Sequence, residues 1–208
     1  MIPSYILGLW AGDKYWRSSS IGLSNTNFKL LNKFKRFFIN SGFPIERLKL
    51  SVYVPENFEL ENLNKQIKSL APNNTKFYKL KKGPRPTFIL YINSRPLKRE
   101  FFETLENVEF SMRNKKDVFE YLGGRFDADG HFDKNKNRIR ICYSKEQTAK
   151  KDKKIIKEII GSYPKLKYYK AANEWILDFS GKEFRKINEE ILKQTIRYQF
   201  LQSRRHPE

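Results

Sequence analysis

Asp13 and Asp129 each close a short apolar stretch in which small residues recur four positions apart. The first stretch runs Tyr5-Ile6-Leu7-Gly8-Leu9-Trp10-Ala11-Gly12-Asp13. The second runs Tyr121-Leu122-Gly123-Gly124-Arg125-Phe126-Asp127-Ala128-Asp129-Gly130. At helical spacing Gly8 and Gly12 share one face, as do Gly124 and Ala128. Such faces let two helices meet with their backbones almost touching. A crossing there is expected to bring the terminal carboxylates within roughly 10 Å of each other. Adjacent carboxylates repel, and a bound Mg²⁺ relieves the repulsion. A cation held this way can lower the pKa of a water attacking a phosphodiester and stabilise the leaving oxygen. An acidic residue opposes the dipole at a helix C-terminus, so its presence at both ends points to use rather than to packing.

The charge balance names the substrate class. Forty-two Lys and Arg against twenty-three Asp and Glu leave +19, which suits a polyanion, nucleic acid first among them. The single cysteine excludes an internal disulfide, and with only two histidines no Cys/His zinc cluster forms. No run of eighteen apolar residues occurs. The chain is expected to be soluble and cytoplasmic, with no membrane partner.

The elements that must position these groups are legible in the periodicity. Residues 3–13 read as a short helix and 15–24 as extended chain. Asn27 can cap a helix over 28–40, ended by Gly42. Residues 46–54 alternate, with Arg47, Lys49, Ser51 and Tyr53 on one face and Leu48, Leu50, Val52 and Val54 on the other. Leu60, Leu63, Ile67 and Leu70 mark an amphipathic helix stopped by Pro72. Strands follow at 76–82 and 87–93, joined by Gly83-Pro84-Arg85-Pro86, and then a helix at 96–108. The second half is shorter: a helix at 115–129, a strand from Arg138, and a helix capped by Ser144 with Gln147 and ending near Gly161. Strands at 165–167 and 175–179 precede a final helix capped by Ser180 with Glu183. Phe184, Ile187 and Ile191 line its inner face. Trp10 and Trp16 are expected in the core. Asp127 has Ala11 as its counterpart, so it reads as a hydrogen-bonding or capping residue rather than a catalytic one.

Both halves therefore read as helix, strands, helix, strands, helix. Asp13 and Asp129 lie 116 positions apart, about half the chain. A duplication with internal pseudo-twofold symmetry follows, with halves 1–112 and 113–208 meeting at the polar Ser111-Met112-Arg113-Asn114.

At the two motifs the sequence resembles the LAGLIDADG homing endonuclease family in its single-chain, two-motif form. The second copy departs mainly at Gly123 and Arg125; the first carries Ala11 for an Asp and Lys14 for the closing Gly. The resemblance implies an α+β fold of two αββαββα halves, with a central pair of motif helices and DNA-facing antiparallel sheets. It implies a monomeric, site-specific double-strand DNA endonuclease that uses Mg²⁺, with Mn²⁺ able to substitute. Asp13 and Asp129 would be the catalytic metal ligands, joined by the backbone carbonyls of Gly12 and Ala128. Lys145 and Arg113 are candidate basic residues near the metal. The rows Arg47, Lys49, Ser51 and Tyr53; Lys79 and Lys81; Arg138 and Arg140; and Lys165, Lys167 and Tyr169 would face DNA. Arg is suited to guanine edges and Lys to phosphates. The lysines around Asp152 read as solvated or phosphate-touching on a helix. The alternative on the same fold is a catalytically impaired, sequence-specific DNA- or RNA-binding protein, a regulator or an intron-splicing maturase that binds intron RNA. Ala11 and Lys14 leave room for it.

Overall fold

A computed structural model describes residues 1–56, 58, 63–71, 73–80 and 85–198. The chain divides into two compact units: Met1–Gly12 with Phe101–Glu208, and Asp13–Glu100.

In the Asp13–Glu100 unit, β1 (Lys14–Arg17) and β2 (Ser20–Asn25) form a hairpin, turned at Ser18 with φ +40°. Next comes α2 (Phe28–Asn40). The Asn27 side chain accepts a hydrogen bond from the Lys29 amide at 2.9 Å, as a capping residue should. Leu30, Leu31, Phe34 and Phe38 of α2 are fully buried, and Phe28 meets Phe88 at 4.5 Å between ring centres. The remaining elements are β3 (Lys49–Pro55), α3 (Asn64–Leu70), β4 (Thr75–Leu80) and β5 (Thr87–Asn93), and α4 (Arg95–Glu106) carries the chain out of the unit. The sheet order is β1-β2-β5-β3-β4. β4 does not pair with β5, the strand that follows it in the chain. It lies parallel beside β3, because the α3 crossover returns the chain in the same direction. Leu60, Pro72, Lys81 and Gly83-Pro84 lie outside the described residues.

In the other unit, the motif helix α1 (Ser4–Asp13) leads in and α5 (Val108–Ser111) precedes α6 (Lys115–Asp129), the second motif helix. Asn114 caps α6, accepting from the Asp117 amide at 3.0 Å. Then follow β6 (Gly130–Asp133), β7 (Arg138–Tyr143), α7 (Glu146–Ile155) with a widened turn over Ile156–Ile160, β8 (Lys165–Tyr169), β9 (Glu174–Phe179) and α8 (Arg185–Lys193). The sheet order is β6-β7-β9-β8. Two expected caps are not used. α7 starts after Lys145, whose ammonium cannot accept a hydrogen bond, and the last helix is entered through Gly181 (φ +114°) and a 3₁₀ turn. Phe184, Ile187 and Ile191 are buried as read from the pattern.

With α3 and β4 set aside, both halves have the element order αββαββα, and β1-β2-β5-β3 repeats as β6-β7-β9-β8. The first half thus carries one inserted helix and one extra edge strand.

The motif helices meet as the small residues require. A Cβ on Gly8 would stand 2.0 Å from the Tyr121 carbonyl oxygen. One on Gly124 would stand 2.1 Å from the Tyr5 oxygen and 2.6 Å from the Leu9 nitrogen, and one on Gly12 2.3 Å from the Ala128 Cβ. Trp10 is fully buried against Phe101 and Phe102, at 4.9 and 5.2 Å. Trp16 is not in the core. It is 47% exposed on the edge strand β1, where only one neighbour covers it, and Lys98 Nζ sits 5.0 Å from its ring centre.

Gly124→Ala should lower unfolding free energy by about 2 kcal/mol or more in urea titrations, since backbone atoms on α1 cannot give way. Gly161→Asn, at φ +82° with open space around it, should stay within about 1 kcal/mol of wild type.

Candidate metal centre and nucleic-acid surfaces

Asp129 is the last residue of α6, and its carboxylate is pressed against the last turn of α1. A Cβ on Gly12 would fall 2.8 Å from Asp129 Oδ2. Burial raises the Asp129 pKa above the usual carboxylate range, and Glu174 adds to the rise while Arg125 and Arg197 oppose it. No hydrogen-bond donor is paired with this carboxylate among the described residues. Cys142 and Glu174 lie outside both motifs and interact electrostatically with Asp129. Burial, Glu174 and Asp129 together raise the Cys142 thiol pKa. Among the described residues no three His, Cys, Asp or Glu side chains gather to hold a metal. The Asp129 carboxylate is a hard oxygen ligand of the kind that suits Mg²⁺ or Mn²⁺, and a cation there would offset its partial desolvation.

Asp13, the last residue of α1, accepts a hydrogen bond from the Asn25 side-chain amide at the end of β2. Asn25 in turn accepts from the Asn27 backbone amide at 2.6 Å, so the cap of α2 and the motif carboxylate share one bridge. Asn25 had no signal in the sequence; only the β1–β2 register brings it to Asp13.

The second motif holds two further groups in place. Asp127 accepts from the Tyr5 hydroxyl at 2.7 Å, the Ile196 amide at 2.6 Å and the Arg197 amide at 3.1 Å. It joins both motif helices to the helical turn that starts at Ile196, which is the hydrogen-bonding role expected of it. Arg125 lies in a buried cluster. Its guanidinium stacks 4.3 Å from the Tyr143 ring centre, and its Nε lies 3.5 Å from Asp152. Asp152 also accepts from Tyr121 at 3.0 Å and Tyr143 at 2.8 Å. Asp152 is thus buried within a lysine-rich stretch that reads as solvated. The Arg125 departure from the motif has its explanation here, since the guanidinium is the counter-charge that Asp152 needs.

Each sheet has a helix-covered face and an open face, and the register sorts the candidate residues between them. In the first sheet Leu23, Leu90 and Leu50 face the covered side. Lys49, Ser51 and Tyr53 point to the open side with Tyr15, Arg17, Tyr91, Lys76 and Tyr78. Ser51 is 6% exposed, because its short side chain sits in a central strand between Ile89 and Lys76. Arg47 lies outside the strand in a 3₁₀ turn, donating to the Asn93 carbonyl at 2.9 Å. Lys79 falls on the opposite face with Phe77, so Lys76 takes its place in the row; Lys81 lies outside the described residues. Lys14 also lies on the covered side of the sheet, in register with Leu23.

In the second sheet Arg138, Arg140, Lys165, Lys167 and Tyr169 all share the open face, as the alternation requires. The sequence did not show what stands among them. Asp178, fully buried in the middle of that face, accepts from Arg138 Nε at 2.7 Å, from Arg138 Nη2 and from Lys167 Nζ at 2.9 Å. Burial opposes its ionisation, but the two cations outweigh it and hold the carboxyl well below its usual range. Arg140 carries a buried Nε with no hydrogen-bond partner among the described residues. Lys145 is exposed at the N-cap of α7. Arg113 is exposed before α6, its backbone amide donating to Asp117 at 3.0 Å. Neither side chain is fixed toward Asp129 by a hydrogen bond or ion pair among the described residues.

Asp178→Asn should destabilise the protein by roughly 2–4 kcal/mol at pH 7, because it leaves two cations facing each other. A carboxyl depressed by folding stabilises only above its unfolded pKa, near 4, and the contribution fades as pH falls toward the folded value. The wild-type advantage in urea midpoint should therefore shrink steadily below about pH 4.

Solved structures share this architecture. The homing endonuclease I-DmoI in complex with DNA and Ca superposes with a TM-score of 0.61 at 16% identity, over 96% of both chains. I-DmoI in complex with DNA and Mn gives 0.58 at 16% identity, over 91% of this chain and 94% of that one. The N-terminal LAGLIDADG domain of DUF199/WhiA gives 0.53 at 14% identity, over 90% and 80%. No family model and no curated protein sequence matches the chain. The fold is that of the LAGLIDADG homing endonucleases, α+β with two sheets and a repeated αββαββα unit, as the two motifs implied.

Proposed function

We infer that the protein is a site-specific double-strand DNA endonuclease that hydrolyses phosphodiesters with a divalent metal, Mg²⁺ or Mn²⁺. One observation carries this reading. The motif helices meet at their glycines, and the meeting holds the half-buried Asp129 carboxylate against Gly12 with no hydrogen-bond donor paired to it among the described residues. A partly desolvated carboxylate in that condition is suited to holding a cation. Asp13 and Asp129 are the proposed metal ligands, with the carbonyls of Gly12 and Ala128. Bound there, the metal would lower the pKa of an attacking water and offset charge on the leaving oxygen. The Asn25 amide aims Asp13, and the packing of Gly12 fixes Asp129. The two open faces, rich in Lys, Arg and Tyr, would follow the DNA grooves, with phosphate contacts supplying most of the affinity. The halves 1–112 and 113–208 would be duplicated copies in a monomer working inside the cell. No helix among the described residues is long and apolar enough to cross a membrane.

A second reading has its own support. The fold also matches the N-terminal LAGLIDADG domain of DUF199/WhiA, and Lys14 replaces the Gly that closes the first motif. On this reading the protein binds DNA or intron RNA without cutting.

Two measurements separate these readings. In a cleavage assay on a randomised duplex library, wild type should cut with Mg²⁺ or Mn²⁺ and not with chelator, and Asp129→Asn should bind without cutting. Binding with no cleavage in any divalent metal would select the second reading. Without metal, Asp129→Asn should also be more stable than wild type at pH 7, since the native carboxyl there is harder to ionise than the unfolded one. That gain should diminish as pH falls toward 4, where both states become protonated. A loss of stability would mark Asp129 as a structural residue instead.

A further inference from the structure

The inserted α3–β4 segment makes the two sheets unequal, and the inequality has a direction. β1 follows Asp13 directly, and β6 follows Asp129 directly. In the first sheet β4 stands four strand spacings from β1; in the second, β8 stands three from β6. At about 4.8 Å per spacing, the first sheet reaches roughly 19 Å from its motif strand and the second roughly 14 Å.

The extra strand continues the open face instead of capping it. Lys76 is in register with Ser51, and Tyr78 with Tyr53. The rings of Tyr53 and Tyr78 stack at 4.9 Å and 18° between planes, and Tyr78 is 42% exposed. Its open-face side chains therefore present one ammonium and one phenol hydroxyl on a surface already carrying Lys49 and Tyr53. An edge strand needing only protection from pairing would be served by charge alone; a stacked, half-exposed tyrosine in line with the row is a surface for a ligand.

We propose that β4 is a fifth recognition strand, so that the first half reads one to two more base pairs outward from the cut than the second half. This rests on the reading of the protein as a duplex-binding endonuclease. The length follows from one strand spacing against a rise of about 3.4 Å per base pair. Lys76 contacts a phosphate, and the Tyr78 hydroxyl contacts a phosphate or base edge at the outer end of one half-site.

The test begins with a target selected from a randomised duplex library by the whole protein. Duplexes are then shortened one base pair at a time from each end, and affinity is read by fluorescence anisotropy. Counted from the cut, one half-site should be longer by one or two base pairs. Removing those pairs should weaken binding at least about fivefold. The double variant Lys76→Ala/Tyr78→Phe keeps the Tyr53 stack. It should lose affinity for the full target and none for the target already shortened on that side, and its log affinity against log salt should be shallower by about one. Half-sites of equal length, or a variant that loses as much on the shortened duplex as on the full one, would overturn the proposal. A protein that selects no duplex at all contradicts the endonuclease reading itself, and β4 then has no DNA to read.

Discussion

Everything at the site depends on how closely two helices can lie. Gly8, Gly12 and Gly124 leave no room for a methyl group: each added Cβ would fall within 2.0–2.3 Å of an atom on the facing helix. That closeness decides the fate of the carboxylate at the foot. Asp129 Oδ2 lies against Gly12, the carboxylate is half-buried, and the partial loss of water raises its pKa.

The surrounding polar groups keep this arrangement rigid. Asp127 ties Tyr5 of α1 to α6 and to the turn at Ile196, so one carboxylate locks three segments. Arg125 and Asp152 neutralise each other in the interior, two tyrosine hydroxyls donate to Asp152, and Arg125 Nε has no hydrogen-bond partner among the described residues. Such a buried pair adds little net stability but fixes geometry, because breaking either member strands a charge. Asp178 does the same on the open face of the second sheet, holding Arg138 and Lys167 in defined positions. Arg138 then has only part of its guanidinium left to offer a base, and Arg140 is the member of that row with an unpaired nitrogen.

The helices, the strand alternation and the duplicated order were legible because each rests on a local period. Asn27 caps α2 through a bond two residues away, as its position before the apolar period implied, whereas the short-range caps at Ser144 and Ser180 are overridden. The motif spacing likewise foretold the backbone contact between α1 and α6. Long-range pairings were not legible. β4 beside β3 depends on a crossover, and a strand's partner is not written in its own alternation. The placement of Lys79 and Trp16 failed for the same reason, since an alternating strand defines two faces without saying which neighbours cover them. Asn25, Asp152 and Asp178 were invisible because a lone polar residue reveals its role only when its partners, 9 to 40 positions away, are known.

The central claim, that the two motif carboxylates hold a catalytic cation, is tested most directly by anomalous diffraction from crystals of the protein with its selected DNA and Mn²⁺. We expect an Mn²⁺ peak within about 2.0–2.3 Å of carboxylate oxygens of both Asp13 and Asp129, next to a phosphate of the duplex. A metal bound elsewhere, or an Asp129 carboxylate paired to a protein donor with no metal beside it, would contradict the claim.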